Sequence, residues 1–214
     1  PLNWTDSKPY KERLKNARKK TGLDCGMMVV CGNINNLKVT AVASDFDFLG
    51  ASMSAAEVEA FLSGIEYACQ NSTPFLCISA GGGIRMMESL ITISQMTRTT
   101  LAINELKEKN LPYLVLITDP TAGGITASYA MLGDLHIAEP GALIAFAGKR
   151  VIQGTVKEEL PENFQTSEYV KKTGFVDLIV ERKDLNEKLG NLLSILLKKT
   201  SVIITEENET TNNT

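Results

Sequence analysis

Two glycine-rich stretches in this chain could do chemistry with backbone amides alone. The first is Ala80-Gly81-Gly82-Gly83, which follows the apolar run Phe75 to Ser79. The second is Asp119-Pro120-Thr121-Ala122-Gly123-Gly124, which follows the apolar run Tyr113 to Thr118. A strand that ends in glycines and enters a helix aims several free N–H groups at one point. Glycine lets a ligand approach the backbone, and the helix dipole adds a partial positive charge. Such a loop binds phosphate or stabilises a developing oxyanion.

The phosphate motifs fail residue by residue. A dinucleotide fingerprint starting at Gly81 needs glycine where Met86 stands. A Walker loop ending at Gly148-Lys149 needs Ser or Thr where Arg150 stands, and glycine where Leu143 stands. A nucleophile elbow is approached at Gly50-Ala51-Ser52-Met53, but the next residue is Ser54 rather than glycine. His136 is the sole histidine and lies in an apolar, strand-like run, so it reads as structural. What remains is an oxyanion hole shared by two loops, in a chain with few candidate acid–base side chains. That combination suits a reaction whose base comes from a cofactor.

The elements that must hold these loops are set by pattern. Thr5 to Lys20 reads as a basic helix, capped by Thr5 or Asp6 and ended by Gly22. Its cations form either a solvated face or an attraction for phosphates or an acidic partner. Gly26 to Gly32 and Leu37 to Ala43 read as a hairpin turned at Asn33-Ile34-Asn35-Asn36. Ser54 to Cys69 reads as a helix with a Ser54/Glu57 capping box. Then come two strand–loop–helix units, with helices expected from about Ile84 to Lys109 and from the second loop to about Leu132. Such alternation implies parallel pairing. Short strands are expected at 134–138, 142–146 and 177–180, and a closing amphipathic helix at 185–199.

Bulk composition excludes little. The 214 residues carry a net charge of -3 and are 43% hydrophobic, enough for a sizeable core. No apolar run reaches the roughly 20 residues of a membrane helix, and no signal-like start is visible. A chain opening on Pro1 reads as trimmed or processed. The four cysteines, Cys25, Cys31, Cys69 and Cys77, have no C-x-x-C spacing and read as reduced thiols in or near a core.

Several segments together carry a resemblance. They are Thr5-Asp6-Ser7-Lys8-Pro9-Tyr10, Asp47 to Met53, Ser79 to Glu88, Leu111-Pro112-Tyr113, Thr118 to Gly124, Ala130 to Asp134, Ile137 to Pro140, Phe146-Ala147-Gly148 and Arg150-Val151-Ile152. In this order the chain resembles the β subunit of the carboxyltransferase component of multi-subunit acetyl-CoA carboxylase, the bacterial and plastid type. The family's Ser-Gly-Gly-Ala-Arg loop reads Gly81-Gly82-Gly83-Ile84-Arg85 here, Met87 replaces a glutamine, and Ser54 stands where the family has glycine. The family's four-cysteine zinc ribbon is not seen, so zinc is expected only in that ribbon and no metal in this chain.

The resemblance implies an α/β, crotonase-like fold of repeated β-β-α units. It implies a basic helical segment at 1–24, a carboxyltransferase domain at 25–200 and a polar, disordered tail at 201–214. The implied activity is transfer of a carboxyl group from carboxybiotin to acetyl-CoA, giving malonyl-CoA for fatty-acid synthesis. Biotin would ride on a separate carrier protein, charged by a biotin carboxylase, and an α subunit would complete an α2β2 assembly. The location would be the bacterial cytoplasm or the plastid stroma, with no membrane or nucleic-acid partner. Backbone amides of Gly123 and Gly124, then Gly82 and Gly83, are the expected oxyanion donors. Ile84, Arg85 and Ile125 complete the expected acetyl-CoA vicinity. Arg85 and Glu88 could instead form a structural ion pair. Two rivals stay open: a stand-alone acyl-CoA hydratase or decarboxylase, and a silent interaction subunit of the same fold.

Overall fold

The computed structural model describes residues 3–157 and 159–198, apart from the side chains of Arg150 and Val156. The expected tail lies outside the described residues. Among those described, seven strands form one sheet: β1 (Met27–Ile34), β2 (Leu37–Ser44), β3 (Phe75–Gly81), β4 (Tyr113–Ala122), β5 (Leu135–Ala138), β6 (Ile144–Ala145) and β7 (Leu178–Ile179). Their order is β1-β2-β3-β4-β5-β7, with β6 on the far end of β4. Only β1 and β2 are antiparallel, joined by Asn35 and Asn36, both with positive φ. Asparagine tolerates that conformation, which the two-residue turn demands.

Helices α2 (Ala55–Asn71) and α3 (Leu90–Glu108) cover one face, and α6 (Leu185–Leu196) covers the other. The central strands are apolar on both sides for this reason. Phe75, Cys77, Tyr113, Val115 and Ile117 face α2 and α3, while Leu76, Leu114 and Leu116 face Leu189 and Leu193 of α6. Gly64 lets α2 press onto the sheet, since a Cβ there would lie 2.9 Å from Val42 Cγ1. Phe61, Phe75, Tyr113 and Tyr129 form an aromatic cluster, in which the Tyr113 hydroxyl donates to the Tyr129 carbonyl at 2.8 Å. Burial pushes the Cys77 thiol beside it up to about 12.

Several expectations are corrected. Helix α1 spans Tyr10–Thr21 rather than starting near Thr5. Pro9 disfavours helical geometry at Lys8, so the chain turns helical only after it. Asp6 accepts from the Lys8 N–H and the Arg13 guanidinium instead of capping. Gly22 does end the helix, at φ 73°. The long helix after the first loop breaks into a 3-10 turn, Met86–Glu88, and α3, with Ser89 at φ 50° between them. No α-helix follows the second loop: turns run to a 3-10 segment at Tyr129–Met131. Helices α4 (Lys149–Val156) and α5 (Ser167–Lys172) fill a stretch with no clear sequence period. Cys31 is exposed on β1 rather than near the core. No helix among the described residues is long and apolar enough to cross a membrane.

Candidate functional site

The parallel pairing of β3 with β4 brings the two glycine loops side by side. Gly81 pairs with Thr121, and Gly83 and Gly123 then meet backbone to backbone. A Cβ on Gly123 would lie 3.0 Å from Gly83 Cα, and one on Gly83 would lie 3.5 Å from Gly123 Cα. Both have positive φ, 123° at Gly83 and 63° at Gly123, so glycine is required for conformation as well as for space. At Gly81 a Cβ would meet Ile125 Cδ1 at 2.4 Å and the Ala51 carbonyl at 2.6 Å.

Not every amide in these loops is available. The Gly82 N–H donates to the Gly50 carbonyl at 3.1 Å, and the Gly123 N–H donates to the Ala145 carbonyl at 2.9 Å. Both were sequence candidates as donors, and both are spent on holding the loops in place. The N–H groups of Gly83 and Gly124 have no partner among the described residues, nor do those of Ile84 and Ile125. The second loop has a local cause. Ala127 N–H closes a helical turn onto the Gly123 carbonyl at 3.1 Å, and the amides after Gly123 are left free as at a helix start. The Thr126 hydroxyl to the Gly123 carbonyl at 2.7 Å and the Ser128 hydroxyl to the Gly124 carbonyl at 2.6 Å tie that turn down.

The first loop is stitched to the segment before α2. Met53 N–H donates to the Gly83 carbonyl at 2.8 Å, and Arg85 N–H donates to the Met53 carbonyl at 2.7 Å. Beneath it lies a polar knot of which sequence reasoning offered only the Arg85–Glu88 ion pair. Arg85, placed by sequence near the acetyl-CoA, is only 2% exposed and points inward. Its Nη2 donates to Glu57 Oε1 at 2.6 Å and to the Ser52 carbonyl at 2.8 Å, and its Nε donates to Ser52 Oγ at 3.1 Å. Nη1 lies 3.3 Å from the Tyr10 hydroxyl and 3.8 Å from Glu88 Oε1, and the guanidinium sits 5.7 Å from the Phe48 ring. Arg85 therefore braces the loop and is not free to touch a ligand. Burial alone would lower its pKa, but Glu57 and the hydroxyl of Tyr10 reverse that and keep it charged.

Glu57 is not the closing half of a capping box. It receives the Ser54 hydroxyl, the Gly26 N–H at 2.8 Å and Arg85. Glu88 takes the Tyr10 hydroxyl and the Ala55 N–H at 3.0 Å. Burial, with Glu88 beside it, pushes Tyr10 up to about 12, so this phenol remains a donor near neutral pH. No local spacing could have revealed a pair 28 residues apart, though a glutamate at the buried start of α2 was a clue.

Asp119 accepts the Leu143 N–H at 2.8 Å and so fixes β6 against the second loop, a shaping role. His136 is likewise structural: burial lowers its pKa, and Asp177, 3.7 Å away, only partly offsets that. Ile84 sits against the second loop, where a Cβ on Gly124 would lie 2.3 Å from Ile84 Cγ2.

Residues 5–210 match the family described as the carboxyl transferase domain. The chain belongs to that family. It is 77% identical over 210 residues to the acetyl-coenzyme A carboxylase carboxyl transferase subunit beta of Pelagibacter ubique, covering 98% of this chain and 68% of the relative. The same subunit of Sinorhizobium medicae is 48% identical, with 98% and 69% covered. Among solved structures, a transcarboxylase 12S with methylmalonyl-coenzyme A and methylmalonic acid bound superposes with a TM-score of 0.71 at 25% identity, covering 79% of this chain and 33% of that one. A subunit of a Pseudomonas malonate decarboxylase hetero-dimer, at 22% identity and TM-score 0.69, shares the fold. The fold is crotonase-like, and the chain is a carboxyl transferase.

Proposed function

We propose that this chain is the β subunit that holds acetyl-CoA while a carboxyl group is transferred to it from carboxybiotin, giving malonyl-CoA for fatty-acid synthesis. The observation that carries this reading is the pair of N–H groups, Gly83 and Gly124, unpartnered among the described residues and on loops in backbone contact. When an α proton leaves acetyl-CoA, negative charge grows on the thioester oxygen. Gly83 and Gly124 donate to that oxygen, and fixed donors of this kind stabilise the transition state without reorganising. Gly82 and Gly123 support them, and Ile84 and Ile125 form the adjoining wall. Biotin, carried on a separate protein, supplies the carboxyl group and the base.

The carboxylates nearest the loops favour this reading over a self-sufficient hydratase or decarboxylase. Glu57 and Glu88 are taken up by the knot around Arg85 and Tyr10, and Asp119 accepts the Leu143 N–H through one oxygen. Among the described residues no carboxylate beside the loops stands free of such a bond, which supports a base supplied from outside this chain. Exposed apolar side chains beside the loops, Met86 at 76%, Leu90 at 75% and Phe146 at 71%, suit a partner surface. An α subunit is the partner proposed, in an α2β2 assembly served by the biotin carrier and a biotin carboxylase. The bacterial origin of the two curated relatives supports the cytoplasm. We divide the chain at about residue 25, with the basic segment before it docked through Tyr10.

The test is carboxyl transfer between malonyl-CoA and biotin, with full-length β subunit alone and with α subunit added. Activity only in the mixture is expected. Full activity from the β subunit alone would overturn the shared-site reading.

A further inference from the structure

We infer that the Ile84 side chain sets the size of acyl group this site accepts, admitting acetyl and rejecting acyl groups with an alkyl substituent on the α carbon. The inference rests on the proposed function and deepens it by giving the acyl side of the site a specificity residue. The two loops offer few side chains to a thioester held between Gly83 and Gly124. Ala80 to Gly83 and Ala122 to Gly124 carry nothing larger than a methyl group. Arg85, Thr121 and Ile125 are buried, with Ile125 Cδ1 turned toward Gly81 beneath the loop. Thr126 is held by the Gly123 and Ala145 carbonyls. Between residues 80 and 85 and between 121 and 126, Ile84 alone is both larger than a methyl group and only half-buried.

The direction of this side chain is fixed. Ile84 forms a parallel bridge with Met53, held on one side by the Met53 N–H on the Gly83 carbonyl and on the other by the Arg85 N–H on the Met53 carbonyl. A β-branched residue on so constrained a backbone has little χ1 freedom, and Ile84 also packs against the main core. Its γ2 methyl is thereby held over Gly124. A Cβ on Gly124 would lie 2.3 Å from Ile84 Cγ2 and 3.6 Å from Ile84 Cβ, so the methyl fills the space that a side chain at position 124 would take. An acyl oxygen received by the Gly83 and Gly124 amides has its α carbon only two bonds away. A substituent on that carbon competes with the Ile84 methyl for the same space. A wall this stiff cannot swing aside, and one added carbon in such a contact changes kcat/KM by about 10- to 200-fold.

The test compares malonyl-CoA with methylmalonyl-CoA as carboxyl donors to biotin, in the assembled α and full-length β subunits. The two thioesters differ by one methyl group on the α carbon. Wild-type protein is expected to favour malonyl-CoA by about 10- to 200-fold in kcat/KM. Ile84→Ala should narrow that ratio by about tenfold, through a gain with methylmalonyl-CoA. Ile84→Val keeps both γ carbons and should retain the wild-type ratio. A ratio does not depend on how much of a variant stays folded, so lost stability cannot imitate the effect. An unchanged ratio in Ile84→Ala, or a wild type that uses both donors equally well, would overturn the role of Ile84 and leave the proposed function standing. Absence of transfer from either donor in the wild type would overturn the function itself, and the role of Ile84 with it.

Discussion

Replacing Gly124 by proline should lower carboxyl transfer roughly 100- to 1,000-fold, the usual effect of removing one oxyanion-hole donor. The substitution removes an N–H and nothing else polar. It does add a Cβ where Ile84 Cγ2 would lie 2.3 Å away, so steric damage must be separated from loss of the donor. Two comparisons do this. Gly124→Ala adds the same Cβ and keeps the N–H. Ile84→Ala/Gly124→Pro removes the clash and still lacks the donor. If the amide matters, the second variant stays slow and Gly124→Ala combined with Ile84→Ala recovers most activity. The loss should appear in kcat rather than in KM for acetyl-CoA, because the charge it meets exists only in the transition state. Near-normal kcat in a folded Ile84→Ala/Gly124→Pro protein would remove Gly124 from the site.

The second large effect concerns Arg85. Its side chain and that of Glu57 are 1% and 2% exposed, and they are 2.6 Å apart. Cutting one side of a buried pair strands the other charge in low dielectric, at a cost of about 3–5 kcal/mol. Arg85→Met in full-length protein should therefore lower the melting temperature by on the order of 10 °C, taking about 2–4 °C per kcal/mol for a chain of this size. Glu57→Gln/Arg85→Met should regain much of that loss, since the buried Glu57 charge goes too and the remaining carboxylate, Glu88, keeps the Tyr10 hydroxyl and the Ala55 N–H as donors. The Arg85 side chain also holds Ser52, the residue before Met53, whose backbone is stitched to the Gly83 loop, so Arg85→Met should also reduce kcat in whatever fraction stays folded. A melting temperature unchanged by Arg85→Met would mean that the pair is neither buried nor structural.

The contrast between these two residues marks what a sequence can carry. The glycine loops were legible because their cause is local: an apolar strand, then residues that alone accept positive φ and backbone contact. The hairpin at Asn35-Asn36 was legible for the same reason. Helix α2 was placed to within two residues by Ser54 and its apolar period. Which amides stay free was not legible. Gly82 and Gly123 look as suitable as Gly83 and Gly124, and only the distant acceptors Gly50 and Ala145 set them apart. For Arg85 the ion pair with Glu88 was legible from their i,i+3 spacing, whereas its partners Tyr10, Ser52 and Glu57 lie 28 to 75 residues away and were not. The second loop also resembled the opening of an α-helix, whereas its turn stops after Ser128, and Tyr113 anchors the next segment through the Tyr129 carbonyl. Local geometry is written in local sequence, and the sharing of hydrogen bonds is settled by the fold.

The most direct test of the site is a crystal structure of the assembled α and full-length β subunits with a non-reactive acetyl-CoA analogue. The predicted result puts the acyl oxygen at about 2.7–3.1 Å from both the Gly83 and Gly124 nitrogens, the range for an oxyanion donor. An acyl oxygen held by other donors, with the Gly83 and Gly124 amides left facing water, would contradict the assignment.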